Sequence, residues 1–126
     1  MLVLTGDLHN SFSIKITDRI WEFASGPHNS RNHRADAQGM TKPNGTYDSR
    51  GRPVDIRWSS FFLPDVPAPL VRQPIYTMVQ INNVFNNRLE AGKDRWVAYP
   101  HPQVIVQFFD GFTGDLLYAE SVLLGR

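Results

Sequence analysis

The residues best suited to chemistry are an aspartate and a histidine just after the first apolar stretch. Residues 2–4 are apolar, and Asp7 and His9 follow within a polar run. A carboxylate and an imidazole two positions apart can both bind a metal ion, and a bound metal ion can activate water for hydrolysis. Asp7 and His9 are therefore the first candidate catalytic pair.

The run Gly6-Asp7-Leu8-His9-Asn10 resembles the opening metal-binding motif of the calcineurin-like metallophosphoesterases. That resemblance implies that Asp7 and His9 would grip one of two metal ions. No second Gly-Asp motif is followed by the acid that the family requires, and Asn32-His33-Arg34 departs from the family's Gly-Asn-His-acid motif. The chain is also too short for the family's α/β sandwich. We therefore expect no enzyme activity.

A second set of possible metal ligands lies further along the chain. His28, His33 and Asp36 could bind zinc, but their spacings of five and three residues do not match a closed structural site. The chain has no cysteine, which excludes disulfides and thiolate sites. It also lacks a Gly-x-Ser-x-Gly elbow, a P-loop and a Gly-x-Gly-x-x-Gly run. We expect no cofactor and no metal.

Composition indicates one globular domain that spans residues 1–126. Hydrophobic residues make up 41% and charged residues 20%, and the formal net charge is +1. So balanced a charge exerts little long-range attraction on nucleic acid or on an anionic membrane. The opening residues lack a basic segment, and the apolar runs are short, so we expect no signal peptide, no transmembrane segment and no membrane partner.

The apolar pattern predicts strands. Phe12, Ile14 and Ile16 alternate with polar residues, as in a half-buried strand that either turns at Asp18-Arg19 or runs on through it. Val54, Ile56 and Trp58 alternate in the same way. Residues 103–109 and 116–124 read as a β-hairpin around a turn at 110–115.

Two segments are harder to assign. Residues 75–85 fit a strand or a helix; we favour a strand to about residue 81, followed by an irregular or short helical turn that ends near Gly92. Residues 96–99, next to Pro100 and Pro102, predict a short edge piece. The expected fold is all-β and mostly antiparallel, a β-sandwich or small β-barrel with one long polar loop and at most one short helix.

The long polar loop is the most unusual feature of the sequence. Residues 26–55 are rich in proline, glycine and arginine, and loops of this length are usually functional or disordered. The pattern leaves open whether they form a hairpin or an extended arm. Arginine suits charge-assisted contacts with a neighbour. The predicted contact residues are Arg31, Arg34, Lys42, Tyr47, Arg50 and Arg52.

These features favour a protein that works by contact. The first hypothesis is a non-enzymatic structural subunit that assembles with its own copies and other structural proteins. A bacteriophage virion component fits best, a tail tube, connector or decoration protein made in the bacterial cytoplasm. An alternative is a single-stranded nucleic-acid-binding module of the OB type, because aromatic residues flank the basic loop. A second alternative is a small inhibitor or adaptor that binds a host protein.

Overall fold

A computed structural model of the chain describes residues 1–6, 10–26, 45–48, 50–60, 74–86 and 96–123. Within these ranges the regular structure is β-strand and there is no α-helix. The predicted all-β, mostly antiparallel fold is confirmed. The strands are β1 (Leu2–Thr5), β2 (Phe12–Thr17), β3 (Ile20–Ala24), β4 (Gly45–Asp48), β5 (Pro53–Ser59), β6 (Ile75–Asn86), β7 (Trp96–Asp110) and β8 (Leu116–Leu123).

The strands form two sheets. The first sheet has five strands in the order β1-β3-β2-β5-β4, and the second has three in the order β6-β7-β8. Every neighbouring pair is antiparallel except β1 and β3, which run parallel. Four strands therefore lie at sheet edges, and β6 is the longest of them at 12 residues.

The first hairpin joins β2 to β3. The sequence left open a turn or one long bent strand at Asp18-Arg19, and the structure shows a turn. The Arg19 amide donates to the Thr17 hydroxyl at 3.2 Å, and Lys15 pairs with Asp18 at 2.6 Å. Both contacts are local, so the turn is specified by the residues beside it.

The first sheet has apolar side chains on both faces. On β5, Val54 and Ile56 belong to one buried cluster, whereas Trp58 packs against the other. A β-bulge explains the change of face, because Ser13 pairs with Trp58 but Ile14 pairs with Ile56. Arg57 is thus the extra residue on β5. The alternation predicted from the sequence places Trp58 with Ile56, and the bulge makes that placement wrong.

The first buried cluster lies between the two sheets. Trp58 of the first sheet contacts Phe108 of the second, with ring centroids 4.8 Å apart, and stacks on Tyr118 at 5.5 Å. Packing of this kind between two sheets is the main source of stability in a β-sandwich. The buried members of the cluster are Phe23, Ile75, Val104, Val106, Phe108 and Val122.

The second cluster belongs to the opposite face of the first sheet. Its members alternate in sequence with the residues that face the second sheet, as a pleated strand requires. Ile16 packs against it while remaining partly exposed. The buried members are Phe12, Ile14, Ala24, Val54 and Ile56, none more than 7% exposed.

Strand β6 is longer than the sequence predicts. It continues beyond residue 81 to Asn86, so the irregular or helical turn expected after residue 81 is wrong for residues 82–86. Asparagine has low strand propensity, but the ladder with β7 supplies hydrogen bonds that outweigh it. Residues 87–95 lie outside the described part of the chain.

Strand β7 contains two prolines, Pro100 and Pro102. Residues 96–99 were expected to form a separate edge piece, but they belong to one strand that runs to Asp110. Asn82 pairs with Gln103 and Val84 pairs with Ala98, so one residue of β6 lies opposite residues 99–102. This irregularity interrupts the ladder at Pro100 and Pro102, which have no backbone N–H group to donate.

The last hairpin is confirmed. The Asp110 carboxylate accepts hydrogen bonds from the backbone N–H groups of Phe112 at 2.7 Å and Thr113 at 3.0 Å. Gly114 takes a φ of +77°, which favours glycine. The Asp110 carboxylate thus accepts from the backbone of its own turn, and Gly114 takes the left-handed conformation at the end of it. Together they define the turn at residues 110–115.

The core assignment predicts contrasting effects for two phenylalanines. Phe108 is fully buried and Phe112 is 78% exposed. Phe108→Ala should lower the free energy of unfolding by about 3–5 kcal/mol because it leaves a cavity between the sheets. Phe112→Ala should change it by less than about 0.5 kcal/mol. Urea denaturation followed by tryptophan fluorescence measures both, and equal losses contradict the assignment.

Candidate functional site

A groove at one end of the first sheet brings two of the predicted contact residues together. The turn between β2 and β3 and the turn between β4 and β5 meet there, because β2 and β5 are neighbouring strands. Its volume is about 720 Å³. Ile16, Ile20 and Val54 are buried or half-buried and the two arginines are exposed, so we call the first set the floor of the groove and the arginines its rim. The described lining residues are Ile16, Thr17, Ile20, Arg50, Arg52, Pro53 and Val54.

The turn between β4 and β5 explains how the arginines reach the groove. Arg50 and Gly51 have φ values of 54° and 80°, so two consecutive residues are left-handed. The Gly51 N–H donates to the Asp48 carboxylate at 2.7 Å, which closes the turn. A left-handed arginine is unusual, and such conformations often occur at functional sites. Arg52 leads directly into β5 at Pro53.

The carboxylates near the groove already have partners. Asp18 pairs with Lys15 at 2.6 Å, and the neighbouring lysine lowers the pKa of Asp18. Asp55 pairs with Arg57 at 3.4 Å. Among the described residues, neither arginine at the rim has an ion-pair partner. The groove therefore offers positive charge beside an apolar floor, a combination that suits a partner with an acid next to an apolar group.

The structure places only some of the other predicted contact residues. Tyr47 lies on β4, where its backbone pairs with Val54 of β5. The end of the polar stretch is therefore a hairpin at the edge of the first sheet. Arg31, Arg34 and Lys42 lie outside the described residues, as do the possible metal ligands Asp7, His9, His28, His33 and Asp36.

A buried acidic group lies between the sheets. Glu120 is 8% exposed, and its Oε2 atom accepts hydrogen bonds from the hydroxyl of Tyr118, from Nε of Arg57 at 3.3 Å and from the hydroxyl of Ser13 at 3.5 Å. Ser13 and Arg57 belong to the first sheet, and the other two belong to the second. A single carboxylate oxygen thus connects the two sheets.

The electrostatic environment stabilises this arrangement. Attraction by Glu120 raises the pKa of Arg57. Burial raises the pKa of Tyr118, and its hydrogen bond to the Glu120 carboxylate raises it further. The phenol therefore stays protonated and keeps donating its hydrogen bond. A carboxylate with three donors is well satisfied, so we interpret these residues as a structural tie.

The sequence holds one signal of this tie that was not among the predicted sites. Glu120 shares a strand face with Tyr118 and Val122, so it interrupts an otherwise non-polar face of β8. A charged residue on the core face of a strand indicates a buried ion pair or a functional group. Its partner Arg57 was not predictable, because the bulge in β5 brings this largely exposed side chain to the face of the sheet where Glu120 lies.

The free edge of β6 is the third notable feature. Within the described part of the chain, β7 is the only strand that pairs with β6. None of its 12 residues is charged, proline or glycine. Met78, Val79 and Ile81 are 54%, 41% and 62% exposed. Edge strands normally carry charges, prolines or cover that prevent pairing with another chain, and nothing among the described residues gives this edge such protection against strand addition.

The described ranges were also searched for metal sites and for membrane-spanning helices. No group of three His, Cys, Asp or Glu side chains there could hold a metal ion. In the same ranges no helix has the length and apolar character needed to cross a bilayer. Comparisons with protein-family models, with curated proteins and with solved structures find no match.

The Tyr118–Glu120 hydrogen bond predicts a pH dependence of stability. The folded-state pKa of Tyr118 lies above its ordinary value near 10. Its contribution is therefore complete below about pH 10 and is lost as the pH rises further. Tyr118→Phe should lower stability at neutral pH and make the alkaline decline shallower than in the parent. Urea midpoints from pH 7 to 11 measure this, and equal declines contradict it.

Proposed function

We propose that the protein is a non-enzymatic structural subunit that assembles with copies of itself. The open edge of β6 is the observation that carries this proposal. A strand from another subunit can add to that edge by backbone hydrogen bonds, and the exposed apolar side chains beside it gain burial in the process. Cover of this kind explains why the edge needs no charge of its own.

The sequence supports the kind of assembly that we favour. The polar stretch at 26–55 and the near-neutral charge suit a protein that contacts protein neighbours. The assembly that we propose is a bacteriophage virion, in which the protein would be a tail tube, connector or shell decoration component. Arg50 and Arg52 at the groove are then contact residues for neighbouring subunits.

The nucleic-acid alternative draws less support from the described strands. Stacking platforms for single-stranded nucleic acid need aromatic rings on an exposed basic surface. Trp21, Phe23 and Trp58 instead pack in the cluster between the sheets. Binding to a fluorescent oligonucleotide that weakens steeply with salt would nevertheless favour this alternative.

The edge of β6 can be tested with a matched pair of variants. Ile81→Lys adds a charge to the β6 edge, and Leu123→Lys adds one to β8 at a residue 47% exposed. Lysine on an edge strand opposes pairing. In light scattering coupled to size-exclusion chromatography, Ile81→Lys should dissociate the assembly at least in part, and Leu123→Lys should not.

Two results would contradict the proposal. A parent protein that remains monomeric at millimolar concentration cannot be a self-assembling subunit, and it would favour the inhibitor or adaptor alternative. Equal dissociation by the two lysine variants would show that the β6 edge is not the contact. Circular dichroism spectra of both variants establish that they remain folded.

A further inference from the structure

The turn between β7 and β8 presents the most exposed large apolar side chain in the described part of the chain. Phe112 is 78% exposed, although the turn beneath it is well ordered by hydrogen bonds from its backbone to Asp110. The Gly111 N–H donates to the Pro74 carbonyl at 2.7 Å. A Cβ atom at Gly111 would lie 2.8 Å from that oxygen, so the backbone contact requires glycine. The turn therefore holds Phe112 outward.

An exposed acidic residue, Asp115, follows Phe112 by three positions at the end of the same turn. Asp115 is exposed, and no described residue donates to its carboxylate or pairs with it. Single exposed apolar residues are common and need no explanation. A phenylalanine that its turn holds outward, followed three residues later by an exposed acid with no partner among the described residues, is a more specific combination. We call Phe112 and Asp115 the knob.

The groove described above is complementary to the knob. Its floor is apolar, with Ile16, Ile20 and Val54, and its rim carries Arg50 and Arg52. The knob presents an aromatic ring and a carboxylate. The groove volume of about 720 Å³ falls within the range of about 300–1,000 Å³ for pockets that hold small ligands, so an aromatic side chain fits. The groove is thus large enough for the aromatic side chain, and the two surfaces carry opposite charge.

Knob and groove lie toward opposite ends of β5. Trp58, near the end of that strand, contacts Phe108 and Tyr118, which flank the knob turn. The groove contains Pro53 at the start of the strand. A strand of seven residues is roughly 20 Å long, so the knob cannot reach the groove of its own chain.

We propose that the knob of one copy binds in the groove of the next. Phe112 contacts the apolar floor, and Asp115 pairs with Arg50 and Arg52. The two surfaces differ, so the contact is head-to-tail and builds a ring or a filament. This inference rests on the proposed function of self-assembly, but it adds a second contact that is independent of the β6 edge.

Complementary variants test the contact in the Ile81→Lys background, where the β6 edge does not contribute. The groove variant is Arg50→Glu/Arg52→Glu, and the knob variant is Phe112→Ala/Asp115→Asn, which adds no charge that could pair with the altered groove. The groove variant keeps an intact knob, and the knob variant keeps an intact groove. Each alone should associate at least about tenfold more weakly than the background protein. An equimolar mixture should form a one-to-one pair, because one intact knob meets one intact groove.

Analytical ultracentrifugation at low and high salt distinguishes the outcomes. The pair should weaken with salt because an exposed ion pair contributes to it. Leu4→Ala, at an apolar residue 60% exposed on β1, is the control and should not change association. If the charge reversal lowers the thermal unfolding midpoint, Arg50→Ala/Arg52→Ala replaces it with the same expected result.

Three results would overturn the inference. The first is a mixture that forms no pair, and the second is either variant assembling as well as the background protein. The third is a background protein that is monomeric although the parent assembles, which would leave the proposed function standing. A parent that is monomeric throughout would overturn both proposals.

Discussion

The structure depends on one extra residue in β5. Because Arg57 bulges out of the ladder opposite the step from Ser13 to Ile14, the strand changes face within its own length. Before the bulge, Val54 and Ile56 pack in the second cluster, on the face of the first sheet that points away from the second sheet. After it, Trp58 enters the packing between the sheets, and the bulge directs Arg57 to the same side, where it meets the buried carboxylate of Glu120.

The contacts that follow from the bulge connect the two sheets in the interior and do not involve the exposed surfaces. The Glu120 carboxylate has donors from both sheets, so this buried charge is satisfied only while the two sheets are packed together. The chain has no cysteine, so no disulfide contributes to this interior. The exposed features lie elsewhere: the β6 edge, the groove with two arginines and the turn that carries Phe112. Surfaces of this kind suit contact with other chains.

Local patterns predicted much of this fold, and long-range pairing determined the rest. The alternation in residues 12–17 and the Asp-Gly and Gly-Asp signals around 110–115 were sufficient for their strands and turn. The length of β6 was not predictable, since asparagines within it are stabilised only by the ladder with β7. Arg50 and Arg52 were named from residue type, but their groove exists because β2 lies beside β5, a neighbour relation that no local pattern encodes.

Amide hydrogen exchange at increasing protein concentration tests the central claim most directly, because it reports pairing of backbone groups strand by strand. If β6 pairs with another copy, its outward N–H groups should become protected as concentration rises. Protection along β8 should stay constant and serves as the internal reference. Concentration-independent exchange throughout residues 75–86, in a sample that light scattering shows to be assembled, would contradict the account.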